Sequence, residues 1–320
     1  MTLGAALVPQ LTRKGLTRPM THIDGKTRLA GVIGWPLEHT LSPAMHNAAY
    51  EALGLNWVYI PLPLRDGAEL LRLASIVKSL PVVGFNVTMP YKRVMLNMCD
   101  EVAAMAQLAG AVNAVHVVDG RLIGYNTDGR GLVESLSSEG GFEPQGRTVV
   151  VLGAGGAAGA AVVGMLLGKA ARITVAARRE EMSEALVDRL QGRTRDTEVD
   201  TCAMGDEFRR IVEEADLIVN ATPVGMGADD TSLVPAAWMH PGQVVADMVY
   251  RPAETVLLRE AKAAGATPVG GLGMLVAQGA IALEIWNNGA TVTAPRDIMR
   301  AAAEAELASM AHVGQGRVAQ

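Results

Sequence analysis

The sequence predicts an α/β fold made of two α/β domains. Three observations carry that prediction. Short Val-, Ile- and Leu-rich runs alternate with helical patterns along nearly the whole chain, which implies parallel sheets with helices on both faces. A chain of 320 residues is about two domains' worth. And 35 glycines beside only 4% aromatics point to aliphatic cores, tight turns and close backbone approach. With 49% hydrophobic and 19% charged residues, the chain is neither disordered nor a coiled coil. The glycines follow no G-X-Y period, which excludes collagen.

The elements follow in order. Arg28–Gly34 reads as a buried strand, Pro43–Leu53 as a helix and Trp57–Leu62 as a strand. A helix over Gly67–Leu80 leads to a strand at Val82–Val87, then helical segments at Lys92–Asn97 and Glu101–Leu108. Val112–Val118 and Arg121–Gly124 form a hairpin across Asp119-Gly120, a dipeptide suited to a two-residue turn. Ser, Gly, Glu and Pro cluster between Asp128 and Gly146, which marks a boundary. A second series starts with the strand Val149–Leu152, a small-residue helix from Gly155 to Ala170 and a strand at Ile173–Ala177. Helices Glu180–Leu190 and Glu207–Ala215 precede strands Leu217–Ala221 and Val244–Val249. Helix Glu254–Gly265, a strand near Thr267 and helices Leu275–Asn287 and Pro295–Ala311 complete the chain. Residues 1–20 read as a loose extension, with Met20 as an alternative start.

Several function classes are excluded early. A net charge of −5 without a basic stripe does not suit nucleic acid. Cys99 and Cys202 are the only cysteines and lack metal-type spacing, so neither a disulfide scaffold nor a metal site is expected. No apolar run has the length of a membrane span, and the N-terminus lacks the apolar core of a secretory signal; the expected address is the cytoplasm.

The glycine loop is the sharpest local signal. Gly153-Ala154-Gly155-Gly156-Ala157-Ala158-Gly159 follows a buried strand directly and opens a helix, the context in which such a loop binds a dinucleotide. Gly153 permits the tight turn and Gly155 lets a pyrophosphate approach the backbone. Ala158 keeps helix and strand close, and the helix start supplies N–H donors. The second unit is therefore a Rossmann-type dinucleotide-binding domain. Its second strand ends in Ala177-Arg178-Arg179 rather than in an acidic residue, which favours the 2′-phosphate of NADP over the free ribose of NAD.

The first half carries different chemistry. In His39-Thr40-Leu41-Ser42-Pro43, Ser42 is a natural N-cap and Pro43 a natural first helical residue. Capping accounts for Ser42-Pro43 but not for Thr40, and the two hydroxyls at a helix start suit a small carboxylate. Asn86 and Thr88, if they share one face at a strand end, suit the hydroxyls of a polyol. Lys92 follows the turn fixed by Pro90, and Asn126-Thr127-Asp128-Gly129 closes the unit at another strand end.

Taken together these segments resemble the shikimate dehydrogenases. The resemblance runs from about Arg28 to Asn287. It rests on GVIGWPLEHTLSPAMHN (31–47), GFNVTMPYK (84–92), AGAVNAV (109–115), GYNTDG (124–129), GAGGAA (153–158), NATPVGM (220–226), DMVYRP (247–252) and GLGMLVAQGA (271–280). It implies an N-terminal substrate domain over residues 1–127, an NADP-binding domain over 128–270 and C-terminal helices, 271–320, that return to the substrate domain. The implied reaction is the reversible NADPH-dependent reduction of 3-dehydroshikimate to shikimate in aromatic amino-acid biosynthesis, without a metal. Lys92 sits at the family's catalytic lysine and Asp128 at its partner. Thr40 and Ser42 fall at the carboxylate-gripping positions, while Asn86, Thr88, Asn113, Asp128 and Gln278 fall at those for the ring hydroxyls. Tyr250 lies where the family's tyrosine approaches the substrate. The resemblance adds Thr222, Met248, Gly271 and Met274 to the glycine loop and Arg178 as cofactor-side residues. Two departures stand out: Thr40 where the family more often has serine, and Ala177 where an asparagine often precedes the arginine. The alternatives are a quinate/shikimate dehydrogenase using NAD, a methylenetetrahydrofolate dehydrogenase, which the carboxylate-and-polyol set argues against, and a non-catalytic dinucleotide-sensing homologue. A monomer or a homodimer is expected.

Overall fold

The computed structural model describes residues 23–190, 196–227, 231–288 and 292–316; the extension at 1–20 lies outside them. The first sheet draws on β1 (Arg28–Gly34), β2 (Trp57–Pro63), β3 (Val82–Val87), β4 (Glu101–Val102), β5 (Ala114–Val118) and β6 (Arg121–Tyr125), in the order β2-β1-β3-β5-β6-β4. It is mixed rather than parallel. β1 pairs in parallel with β2 and β3, but β5 runs antiparallel to both β3 and β6. The physical reason is the hairpin. Asp119 at φ 50 and Gly120 at φ 72 both occupy the left-handed region, as a type I′ turn requires, and so reverse the chain in two residues.

Around this sheet lie α1 (Ser42–Ala52), α2 (Gly67–Ile76), α3 (Lys92–Leu96) and α4 (Ala104–Ala109). The segment expected to be helical from Glu101 first makes the short strand β4 and turns helical only at Ala104. Every residue of β3 is buried, so this VVGFNV strand is central and covered on both faces. One face packs α1 and the C-terminal helices α10 (Gly271–Trp286) and α11 (Arg296–Gly316); the other packs α2, α3 and α4. Gly84 makes room for α10. A Cβ there would fall 2.2 Å from Trp286 Nε1, which donates to the Val115 carbonyl at 2.9 Å.

The second sheet is parallel throughout: β7 (Thr148–Leu152), β8 (Arg172–Ala176), β9 (Glu198–Cys202), β10 (Leu217–Asn220), β11 (Val244–Asp247) and β12 (Thr267–Val269), ordered β12-β11-β10-β7-β8-β9. The strand β9 escapes the sequence reading because EVDTC carries only two apolar residues at a sheet edge. The helices α6 (Gly156–Leu167), α7 (Glu180–Leu190), α8 (Asp206–Glu214) and α9 (Val256–Ala263) cover the two faces. The strand order reverses between β7 and β10, the crevice at which doubly wound sheets bind ligands.

The expected boundary at Asp128–Gly146 begins instead as a helix, α5 (Asp128–Gly140), and it ends at Gly141 in the left-handed region. Its Gly and Ser residues mark close packing rather than a linker. A Cβ on Gly129 would meet the Ala160 carbonyl at 2.4 Å, and one on Gly131 the Gln278 backbone nitrogen at 2.8 Å. A Cβ on Gly159 would meet the Ala109 carbonyl at 2.3 Å. These glycines hold α4, α5, α6 and α10 in contact between the two sheets.

Candidate active site

The residues expected to bind substrate converge from five elements at the strand ends of the first sheet. Lys92 opens α3 and Asp128 opens α5, so the carboxylate stands at a helix N-terminus, where its charge is favoured. Lys92 Nζ contacts Asp128 Oδ2 at 2.6 Å, with the aspartate side chain 6% exposed and the lysine 20%. The other carboxylate oxygen accepts from Asn113 Nδ2 at 2.7 Å. That amide nitrogen also faces Thr127 Oγ1 at 2.9 Å and Gln278 Oε1 at 3.2 Å, while Asn113 Oδ1 accepts from the Thr127 backbone at 2.7 Å. Gln278, on α10, donates through Nε2 to the Leu275 carbonyl at 2.8 Å. Asn126 ties the turn down by donating to the Ala111 carbonyl and accepting from the Asp128 backbone. Five polar side chains, Asn113, Asn126, Thr127, Asp128 and Gln278, are thus buried with their partners already chosen, the condition for burying them cheaply.

Asn86, on β3, donates to the Asn113 carbonyl at 3.3 Å and accepts from the Tyr59 hydroxyl at 2.8 Å. Thr88 follows the end of β3 and is partly exposed; its backbone N–H donates to the Ile33 carbonyl. At α1 the cap position is Leu41, not Ser42, which is already the first helical residue and makes no side-chain cap. The reason is Thr40: its hydroxyl accepts from the Ser42 N–H at 3.3 Å, so the preceding residue occupies the turn. Ser42 is buried beside Tyr59 with its hydroxyl released from capping. Tyr250 packs, partly buried, against the cluster beneath α1 and α10; burial raises its pKa, opposed by Arg251.

The glycine loop completes the cleft. Gly153 has φ +107, and a Cβ there would press on Thr222 Cγ2 at 3.0 Å, so the turn needs glycine. A Cβ on Gly155 would meet nothing within 4 Å: the backbone is open to a ligand at the start of α6. A Cβ on Gly156 would lie 3.0 Å from Ala111 Cβ and 3.8 Å from Lys92 Cβ, so the loop abuts the stem of Lys92. Arg178 and Arg179 stand exposed just past β8, with Ala177 buried behind them. Gly271 lets α10 start against Met248, whose carbonyl would be 2.6 Å from an added Cβ, and Met274 joins the same core. A phosphate-sized opening at a helix N-terminus, flanked by two free-standing arginines, fits a phosphorylated dinucleotide.

Comparison with known proteins agrees with this arrangement. Residues 32–115 match the shikimate dehydrogenase substrate binding domain and residues 271–304 the shikimate 5'-dehydrogenase C-terminal domain. Residues 149–269 match the saccharopine dehydrogenase NADP binding domain. The shikimate dehydrogenase (NADP(+)) of Citrifermentans bemidjiense is 46% identical over 265 residues, 82% of this chain and 91% of that protein. The chain belongs to the shikimate dehydrogenase family. Among solved structures, a shikimate dehydrogenase in complex with NADP+ aligns with TM-score 0.81 at 37% identity, covering 89% of this chain and 98% of that one. Shikimate 5-dehydrogenase from Listeria monocytogenes, in complex with shikimate and NAD, aligns with TM-score 0.80 at 35% identity, covering 87% and 96%.

For a member of this family, sequence reasoning missed two groups of supporting residues. Tyr59 and Thr127 sit among the expected substrate residues, yet a tyrosine inside WVYIPLP signals only a strand. The second group is a buried knot. Asp247 accepts from Asn220 Nδ2 at 3.0 Å, the Val249 N–H at 3.0 Å and Thr255 Oγ1 at 2.6 Å. Asn220 Oδ1 in turn accepts from the Thr222 hydroxyl at 2.7 Å. Burial raises the Asp247 pKa, and these three hydrogen bonds oppose the rise. The knot joins the NATPVGM and DMVYRP segments, but only their coincidence in the sequence hinted at it. Among the described residues no group of three His, Cys, Asp or Glu side chains is placed to hold a metal ion, and no helix is long and apolar enough to cross a membrane.

Proposed function

We propose that the protein is an NADP-dependent oxidoreductase that interconverts 3-dehydroshikimate and shikimate, a step of aromatic amino-acid biosynthesis. The observation that carries this reading is Lys92, ion-paired to buried Asp128 at 2.6 Å and standing against the glycine loop. It joins a proton donor, a hydroxyl-binding carboxylate and a dinucleotide site in one cleft.

In this reading Gly153, Ala154, Gly155, Gly156 and Ala157 hold the pyrophosphate. Arg178 and Arg179 hold the 2′-phosphate beside Ala177, and Thr222, Met248, Gly271 and Met274 line the nicotinamide side. Bound NADPH supplies the hydride. The chain's own residues orient the acid and manage one proton. Thr40 and Ser42 donate to the substrate carboxylate. Asn86, Thr88, Asn113, Asp128 and Gln278 hold the ring hydroxyls, and Tyr250 closes over them. Lys92 points its ammonium at the carbonyl oxygen, balances the charge that grows there and gives up the proton. In the reverse direction its amine takes the hydroxyl proton back. Such acid–base help is typically worth about 10²–10⁴-fold. Asp128 holds the ammonium in place while its other oxygen stays on Asn113.

The domain assignment follows: residues 1–127 with 271–320 bind substrate, and 128–270 bind cofactor. We place the enzyme in the cytoplasm as a monomer or homodimer, which light scattering distinguishes. A four-way assay tests the function: shikimate or quinate, each with NADP or NAD. Shikimate with NADP is expected to be fastest. Quinate with NAD as the fastest pair would favour the catabolic reading, which Thr40 in place of serine leaves open. No turnover with any pair would overturn the enzyme assignment in favour of a dinucleotide sensor.

A further inference from the structure

Tyr59 is fully buried, and its hydroxyl reaches Asn86, one of the residues assigned above to the ring hydroxyls. Its backbone is clamped to α1 in both directions: Asn47 Nδ2 donates to the Tyr59 carbonyl at 3.0 Å, and the Tyr59 N–H donates to Asn47 Oδ1 at 2.8 Å. Its ring is stacked on His46 with centroids 4.2 Å apart and planes 4° from parallel. Backbone and ring are therefore both fixed, and the hydroxyl is delivered to Asn86 Oδ1 at 2.8 Å.

That bond decides what Asn86 offers a ligand. With Oδ1 accepting from the tyrosine and one N–H spent on the Asn113 carbonyl at 3.3 Å, the amide has one N–H left. Its free N–H makes it a donor, while the tyrosine engages one of the two lone pairs of its oxygen. An amide turned over by 180° would set its oxygen against the Asn113 carbonyl, losing that bond, and would leave the Tyr59 hydroxyl without the acceptor it now donates to. The Ser42 hydroxyl adds to the chain: its hydrogen bonding opposes the rise that burial imposes on the Tyr59 phenol.

We propose that Tyr59 is a positioning residue for substrate recognition: by holding Asn86 with its N–H toward the ligand, it makes that subsite select a ring hydroxyl as a hydrogen-bond acceptor. The proposal rests on the shikimate-binding reading of this cleft. It predicts that losing the phenol hydroxyl weakens substrate binding while leaving the cofactor alone, because Lys92, Asp128 and the glycine loop make no contact with it.

Two isosteric substitutions separate this from packing. Tyr59→Phe removes a buried oxygen that is bonded to Asn86. Tyr50→Phe removes one from the neighbouring buried tyrosine, whose hydroxyl has no partner among the described residues. Steady-state kinetics on the full chain should give a roughly tenfold rise in the shikimate KM for Tyr59→Phe, the size of one buried hydrogen bond. The NADP KM should stay within twofold and kcat should change less than KM. Tyr50→Phe should match wild type. In an Asn86→Ala background, adding Tyr59→Phe should cost nothing more, since the group it orients is gone. Wild-type-like KM in Tyr59→Phe, an equal effect of Tyr50→Phe, additive losses in the Asn86→Ala background, or loss of NADP binding in Tyr59→Phe would each overturn the proposal. If wild type turns over neither acid, the reading of the cleft fails and this proposal falls with it. Normal wild-type turnover with an unaltered Tyr59→Phe sinks this proposal alone.

Discussion

In the proposed reading, the two sheets address their ligands by opposite means. At the first, recognition is built from side chains: Asn86, Asn113, Asp128 and Gln278 are 6%, 1%, 4% and 8% exposed, and each is already hydrogen-bonded to another. At the second, the ligand-facing surface is backbone, a run of glycines and alanines, and its charged members Arg178 and Arg179 stand free in solvent. Its buried polar knot, Asn220–Asp247–Thr255, shapes the flanking segments from beneath. The substrate site is thus preorganised by mutual hydrogen bonds, and the cofactor site by the absence of side chains. The first is vulnerable to losing an atom and the second to gaining one.

The largest expected effect breaks the first region alone. Lys92→Ala removes the group proposed to face the reacting oxygen and should lower kcat by about 10²–10⁴-fold. NADP affinity, measured by fluorescence titration, should persist. A variant with near-normal turnover would remove Lys92 from the chemistry.

The second region should fail by addition. Gly159→Ala places a Cβ 2.3 Å from the Ala109 carbonyl, where backbone must move. Overpacking of this kind costs about 1–3 kcal/mol, visible in a urea melt. Gly155→Ala, whose Cβ meets nothing, should melt like wild type yet bind NADP more weakly, because the methyl occupies the open backbone. If the two glycines behaved alike, the distinction between packing and ligand glycines would be wrong. A smaller effect sharpens the cofactor choice. Arg178→Ala should cut the preference for NADP over NAD by about tenfold, the scale of one charge-assisted hydrogen bond. An unchanged ratio would give the discrimination to Arg179 alone.

What was legible in the sequence follows the same division. The glycine loop could be read because its meaning is local: strand, turn and helix are contiguous, and Gly153 needs its positive φ whatever lies around it. The hairpin at Asp119-Gly120 was legible for the same reason. The Lys92–Asp128–Asn113–Gln278 constellation was not legible from spacing. Its members lie on separate elements, with Asn113 and Gln278 165 positions apart, and only likeness to a family joined them. Ser42 was misread as a cap because Leu41 takes that place behind Thr40. The residues from Asp128 onward read as a boundary and not as a helix because glycines at a helix–helix contact resemble glycines in a loop. Strand β9 lacked the hydrophobicity that a sheet edge does not demand.

The smallest expected effect at neutral pH turns on His46, which belongs to the first region only. Its ring is fully buried, stacked on Tyr59, and neither nitrogen has a partner among the described residues. Burial lowers its pKa to about 3. In the unfolded chain a histidine takes up its proton near pH 6.5, whereas the folded protein refuses it until about pH 3. As pH falls through 6.5 the unfolded state therefore binds the proton first, and stability is lost from there downward. The slope approaches about 1.4 kcal/mol per pH unit, and at pH 6 the loss is still only about 0.8 kcal/mol. His240, in the second region, is solvent-exposed and offers no such buried ring. Urea melts at pH 7.5, 6 and 5 should show this acid sensitivity, and His46→Phe, which keeps a ring against Tyr59, should reduce the slope by about one proton. An imidazole signal from His46 that titrates near pH 6.5 in the folded protein would show that water reaches the ring. The packing between α1 and Tyr59 would then be open where the structure closes it.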